Sequence, residues 1–358
     1  MWAVGGGLCV LAVYNLVFFV RALGPAAVLN DFDWYYGAAQ LGLHHGWSHI
    51  YDRTLQAEYL NPSFPFVNPP PLAWLVAPLT ALPKATAYFV FAFFLVACVG
   101  LTVPLAAGPG AQGKLLVFGT AFGLAPTMIS LVYGQPVAIV LLSVVAAWWL
   151  DRRGHPILAG LALCAVVMKP SIVLLVPLAI LMSGRYRTFV AWAASTSVLV
   201  AISAVSLGVD GMKAYVNLLA LAAGEMQAFA LGSGWMAWVA TAVVAGLTLA
   251  VAWKRRGAGL ELPLAVGIVG SLLISRHLNV YDLALYAPVL WLTFGGNLHW
   301  TAKVAAAAAW VVMDVAVLDA SLVVAAELVL FVVLVLPDLM ALIKRGAPSV
   351  GSGGQVGI

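Results

Sequence analysis

The chain has 358 residues, of which 64% are hydrophobic and only 8% charged, with a formal net charge of +4 and a mean hydropathy of +1.04. Soluble globular domains are near half apolar and a quarter charged, so the composition excludes that class and marks a polytopic integral membrane protein. The few charges sit in short loops, where they report topology and not a nucleic-acid surface.

The spans are expected to be helices: hydrocarbon cannot satisfy open backbone polar groups, and the apolar segments are too long and uniform for alternating barrel strands. The fold class is therefore all-α, a bundle of about 10–12 spans that includes short re-entrant or broken helices. Residues 1–22 lack a basic n-region and an evident small-residue cleavage site, so they read as a retained first helix over 3–22. The longest hydrophilic segment follows, a first external loop over 23–68 that holds Asp31, Asp33, His44, His45, His49, Asp52, Arg53 and Glu58.

Residues 69–82 are too short to cross and are bounded by Pro69-Pro70-Pro71 and Pro83, so they read as a re-entrant or surface piece. Spans are expected near 85–106, 115–132 and 136–150, with Gly134-Gln135 between the last two. Residues 157–182 are apolar but broken by Lys169-Pro170. Further spans are expected near 188–208, 235–253, 262–276, 281–295, 302–318 and 321–342. The segment 209–234 has the glycine content of a mobile flap. One membrane domain covers 1–345, and 346–358, rich in glycine and serine, reads as a disordered cytoplasmic tail. The three cysteines, Cys9, Cys98 and Cys164, lie inside apolar runs and read as packed hydrophobes.

Basic clusters orient the bundle. Arg152-Arg153, Arg185 with Arg187, Lys254-Arg255-Arg256, Lys303 and Lys344-Arg345 are expected on the cytoplasmic side. With both Arg152-Arg153 and Arg185 inside, residues 157–182 must enter and return as a hairpin with Lys169 at its apex. A single kinked span is the alternative, and it would put Lys254-Arg255-Arg256 outside. The same parity places four polar sites on the outer face: the Asp31/Asp33 loop, Gln135, Lys169, and the stretch from Ser275 through Arg276, His277, Tyr281 and Asp282.

Ionisable groups at membrane depth are costly unless they serve a purpose. Carboxylate, cations and imidazole at one level suit a substrate that carries both a phosphate and a reacting hydroxyl. The carboxylate can take the hydroxyl proton, and Lys169 and Arg276 can stabilise charge on a leaving phosphate. Simpler roles stand beside these. Asp31, Asp33 or Asn30 can cap a helix; Lys169 can satisfy carbonyls freed at Pro170 or snorkel to the interface; Arg276 and His277 can anchor a span end; Tyr35 and Tyr36 can belong to an interfacial aromatic belt.

Asp31-Phe32-x-x-Tyr35-Tyr36-x-Ala38-Ala39 resembles the opening signature of glycosyltransferase family 87. The resemblance continues through Tyr51-Asp52, Asn68-Pro69-Pro70-Pro71-Leu72, Tyr133-Gly134-Gln135, Gly160 to Lys169-Pro170, and Ser275-x-His277 to Tyr281-Asp282-Leu283, roughly residues 30 to 290. It implies a bundle of the GT-C type and an inverting transferase of the inner (cytoplasmic) membrane with its site on the external or periplasmic side. The implied partners are a polyprenyl-phosphate sugar donor, mannose being the commonest sugar, a glycolipid or glycan acceptor, and membrane lipids; no nucleic acid is implied. By the resemblance Asp31 is the catalytic base and His277 lies near the donor phosphate. Lys169 and Arg276 are expected to join His277 there, with Asp33, Tyr35, Tyr36, Gln135, Tyr281 and Asp282 as substrate-binding residues. No metal site or other cofactor is expected, since no metal-ligand cluster stands out and the implied donor is lipid-linked. The polyprenyl phosphate leaves as a stable anion, so a second, acidic carboxyl is unnecessary. The rival reading is a lipid or solute transporter or flippase, since broken helices and intramembrane charge also mark substrate pathways.

Overall fold

A computed structural model of the chain describes residues 2–26, 30–60, 65–108, 110–225, 234–315 and 319–346. Among these every regular element is helical. The expected tail from 347 onward, and 226–233 of the expected flap, lie outside the described residues.

Helix α1 (Trp2–Ala26) leads to a cluster of short helices, α2 (Phe32–His45), α3 (Arg53–Tyr59) and α4 (Pro70–Val76), before α5 (Lys84–Ala106). Then come α6 (Ala111–Phe122), α7 (Ala125–Val132) and α8 (Val137–Arg152). The broken segment is α9 (Pro156–Leu163) and α10 (Leu175–Met182), separated by two 3-10 turns over Cys164–Met168 and Pro170–Ile172. The remainder is α11 (Tyr186–Glu225), α12 (Gly234–Lys254), α13 (Glu261–Ile274), a 3-10 turn at Val280–Leu285 continuing into α14 (Tyr286–Gly295), α15 (Trp300–Asp314) and α16 (Ala320–Gly346).

Five of these helices, α1, α5, α11, α12 and α16, are long and apolar enough to cross a membrane alone, and the pair α6 and α7 makes a sixth if counted as one span. The other expected spans are shorter: α8 has 16 residues, α13 14, α14 10 and α15 15. Crossing hydrocarbon alone takes about 20 residues. Helix α13 escapes that demand because every residue from Leu262 to Leu273 is buried among other helices. Its backbone is enclosed by protein and never meets lipid.

Two expectations are corrected. The span expected over 115–132 is bent by 61° between α6 and α7. Pro126 has no N–H to continue the ladder and stands in the first turn of α7 instead. Asn15 of α1 donates from Nδ2 to the freed carbonyls of Phe122 (3.2 Å) and Gly123 (2.9 Å). The second concerns 188–208, where the helix does not end. At Gly208 the backbone takes φ 63°, a value open to glycine, and the helix resumes to Glu225. The first part of the expected flap is thus helical.

The two ends of the broken segment meet. Arg185 Nε, just past α10, lies 3.3 Å from Asp151 Oδ2 at the end of α8, and Thr188 Oγ1 donates to Asp151 Oδ1 at 2.6 Å. The segment is a re-entrant hairpin with Lys169 at its tip. Its arms are short, but a 3-10 turn rises about 2.0 Å per residue against 1.5 Å in an α-helix, so the turns stretch the reach of the tip. Arg152 with Glu261 and Lys254 with Arg255 on Asp338 join Asp151 and Arg185 at that end of the bundle. Helix α8, about 24 Å long, separates this basic end from Gln135 at its other end.

Candidate active site

Asp31 opens α2 and occupies its N-cap position, yet its side chain makes no capping hydrogen bond. Asn30 Oδ1 accepts from the Asp33 N–H at 3.2 Å and serves that purpose. The Asp31 N–H donates to the Tyr133 carbonyl at 3.1 Å, which pins the start of α2 against the α7–α8 turn. Gly134 makes this approach possible. It has φ +70°, and a Cβ there would stand 3.0 Å from Phe32 Cβ.

The turn delivers Gln135, whose Nε2 donates to Asp31 Oδ2. Gln135 Oε1 in turn accepts from Lys169 Nζ at 3.2 Å. Lys169 also donates to Asp282 Oδ1 at 2.5 Å, and its ammonium lies 4.3 Å from the centroid of the Tyr281 ring. Asp282 is fully buried and accepts from the Asn279 N–H at 2.9 Å within a capping box. A continuous chain, Asp31–Gln135–Lys169–Asp282–Asn279, therefore joins four segments far apart in sequence. Burial raises the Asp31 carboxyl to about 6, against the opposing effects of Gln135 and Lys169 and with a smaller push upward from Asp282.

His277 stands beside this chain. Burial, then Arg276, then Lys169, hold its imidazole below the usual histidine range. Arg276 is exposed, and its guanidinium stacks 4.0 Å over the Trp238 ring.

The other expected site residues are engaged elsewhere. Asp33 points out to Lys84, with 2.9 Å between Oδ2 and Nζ. Tyr36 donates its hydroxyl to the Leu82 carbonyl at 2.9 Å. Tyr35 is buried against Phe66 and Phe91, 6.4 Å between centroids in each case. Both tyrosines form the packed wall behind Asp31. His44 and His45 share the Tyr59 hydroxyl, at 3.2 and 3.1 Å. A groove of about 620 Å³ opens where α11 breaks at Gly208, lined by His49, Asp52, Arg53, Asp210 and Asn217; none of the expected site residues lines it.

Sequence reasoning assigned Asp282 to substrate and missed it as the partner of Lys169. The signal was available: a lysine buried in an apolar segment needs an anion, and acids in such segments are rare here. Lys84 and Trp238, the partners of Asp33 and Arg276, had no local signature.

The sequence profile of glycosyltransferase family 87 matches residues 66–276, more than half of the chain. The chain belongs to glycosyltransferase family 87. No curated protein and no solved structure matches it. This family 87 enzyme transfers a sugar from a donor to an acceptor, which settles its class as a glycosyltransferase in place of a transporter. The matched stretch contains Gln135, Lys169 and Arg276; His277, Tyr281 and Asp282 follow directly, and Asp31 precedes it.

Proposed function

We infer that this glycosyltransferase moves a sugar, mannose being the leading candidate, from a polyprenyl-phosphate donor to a hydroxyl of a glycolipid or glycan acceptor, with inversion and with Asp31 as general base. The observation that carries this reading is the Asp31 carboxylate: buried, released from helix capping, raised to about 6, and linked through Gln135 to the Lys169 ammonium. A base works best when its proton affinity lies close to the working pH.

In the reaction, the acceptor hydroxyl gives its proton to Asp31 as its oxygen bonds to the anomeric carbon. The bond from that carbon to the phosphate oxygen breaks on the opposite face, and the lipid phosphate leaves with the electron pair. Its negative charge needs no proton, so one carboxylate suffices where a glycosidase uses two. Arg276 keeps its N–H donors exposed and can meet the phosphate, with His277 as a neutral partner and the Lys169 charge behind them. Gln135 and Tyr281 border the reacting region, with Asp282 anchoring it from below; Tyr35 and Tyr36 shape its wall, while Asp33 turns away to Lys84. The separation of the basic end from the Asp31 end supports an active site on the external face of the cytoplasmic membrane.

The test is transfer from a radiolabelled polyprenyl-phosphate mannose to cell-envelope glycolipid by purified protein in detergent or liposomes. Wild type transfers label, and Asp31→Asn loses transfer by about 10²–10⁴-fold. An Asp31→Asn protein with full transfer overturns the base assignment. Transfer from a nucleotide sugar alone overturns the donor.

A further inference from the structure

Gln135 carries one carbonyl and one amino group, and its orientation is forced. An ammonium only donates, so the atom facing Lys169 Nζ at 3.2 Å must be the amide oxygen. The amino group then faces Asp31 Oδ2. The flipped amide would set its NH2 against the ammonium and its oxygen against the carboxylate, two repulsive contacts in a region where Lys169 is only 12% exposed. Lys169 is itself held from behind by Asp282 at 2.5 Å and by the Tyr281 ring.

Resting on the reading of Asp31 as the base, we propose that Lys169 is a positioning residue that aims the Gln135 amide at Asp31, with Asp282 setting Lys169, rather than a direct ligand of the donor phosphate. The amide donates to Oδ2 and leaves Oδ1 to take the acceptor proton. Its donated hydrogen bond also favours the ionised form of Asp31, because a charged carboxylate accepts more strongly than a protonated carboxyl, and Lys169 keeps the amide turned to donate. The titratable groups around Asp31 are Tyr35 on its own helix, Tyr133 at the α7–α8 turn, Lys169 on the hairpin, and Tyr281 and Asp282 on the following turn; His277 feels the charges of both Lys169 and Arg276.

The consequence is a pair of opposite shifts. Removing the Lys169 charge and its grip on the amide raises the proton affinity of Asp31. Removing the Asp282 charge lowers it. A residue that only supports the fold has no reason to move the pH profile in a direction set by the sign of its charge.

The experiment is the pH–rate profile of kcat and the donor KM for purified Lys169→Met, Asp282→Asn and the Lys169→Met/Asp282→Asn double variant, with Asp31→Asn beside them. The expected result for Lys169→Met is an acidic limb moved to higher pH, with activity about tenfold lower on the acid side for each pH unit of displacement and partial recovery as the pH rises. Its donor KM changes little. Asp282→Asn moves the limb to lower pH. The double variant leaves no buried charge uncompensated and keeps an acceptor for the Asn279 N–H, which guards the fold. Its limb lies above that of wild type, because the amide has lost the group that orients it. Limbs that stay in place, or that move the same way in both single variants, overturn the inference. So does a Lys169→Met enzyme whose defect is a raised donor KM, the mark of a phosphate ligand. An active Asp31→Asn protein overturns the underlying reading as well, whereas an inactive one with unmoved Lys169 and Asp282 profiles overturns the inference alone.

Discussion

Arg185 Nε stands 3.3 Å from Asp151 Oδ2, and this contact closes the base of the hairpin whose tip carries Lys169. Asp151 is buried, and Thr188 Oγ1 is bonded to it as well. Through these bonds the basic end of the bundle determines how deep the hairpin reaches. Asp151→Ala removes both bonds and strands the Thr188 hydroxyl. The expected cost is on the order of 1–3 kcal/mol, seen as a lower midpoint in thermal unfolding in detergent, with transfer activity falling along with it.

Asp31 carries a sign that separates activity from stability. Its carboxyl rises from 3.8 to about 6 on folding. The folded state therefore gains from the protonated form below pH 3.8, and that gain is lost as pH rises through about 6. At pH 7.5 the ionised carboxylate works against the fold. Asp31→Asn is expected to stabilise the fold at that pH by at most about 3 kcal/mol, read as a higher thermal midpoint, while transfer is lost. With Asp31 as the proposed base, wild-type kcat is expected to decline as pH falls through about 6, which a pH–rate profile checks.

The two acids of the first loop part company in their expected phenotypes. Asp33 pairs with Lys84, and the two side chains are 23% and 46% exposed. Such a pair contributes no more than about 1 kcal/mol. Asp33→Asn and Lys84→Ala should each keep transfer within a few-fold of wild type under conditions in which Asp31→Asn is inactive. Loss of transfer in Asp33→Asn to the same extent would put the base on the wrong carboxylate.

Gly134 is expected to be intolerant. Alanine there meets both a positive φ, a cost of about 1–2 kcal/mol, and Phe32 Cβ at 3.0 Å. The strain bears on the turn that holds the Asp31 N–H and presents Gln135. Gly134→Ala should lower kcat more than it lowers the thermal midpoint, because relief comes by displacing the start of α2. Parallel assays of transfer and melting check this.

Gly160 makes the corresponding contact for the hairpin. A Cβ on it would lie 2.5 Å from the Thr188 carbonyl and 2.6 Å from Ala191 Cβ, so α9 and α11 pack with nothing between them. Gly160→Val should push α9 away from α11 and withdraw Lys169 from Gln135. The expected readout is reduced transfer together with faster proteolysis of the hairpin.

Much of this was legible in the residues alone. The helical class follows from the uniform apolar runs, and the hairpin follows from charge parity: Arg152-Arg153 and Arg185 had to share a side, and Asp151 with Arg185 shows that they do. Gln135, Lys169, Tyr281 and Asp282 were all marked as site residues because polar groups in a chain this apolar are few. What pairs with what was not legible. Lys169 with Asp282, Asp33 with Lys84 and Arg276 with Trp238 are separated by 113, 51 and 38 positions, and no local periodicity encodes them. The helix at 209–225 was missed because its glycine and charge content matched a loop, while the break at Gly208 that allows it is a matter of one φ angle.

The sequence by itself determined the solvent this protein folds in, the helical solution that hydrocarbon permits, and the short list of polar side chains that chemistry could use. The tertiary structure alone decided their order. Four remote segments converge so that a largely buried lysine is neutralised by Asp282, an amide is turned by that lysine, and the Asp31 carboxylate receives the amide. The physical reason is that each of these groups is costly to bury alone and tolerable only in the company of the next. Which neighbour it finds depends on how the helices pack.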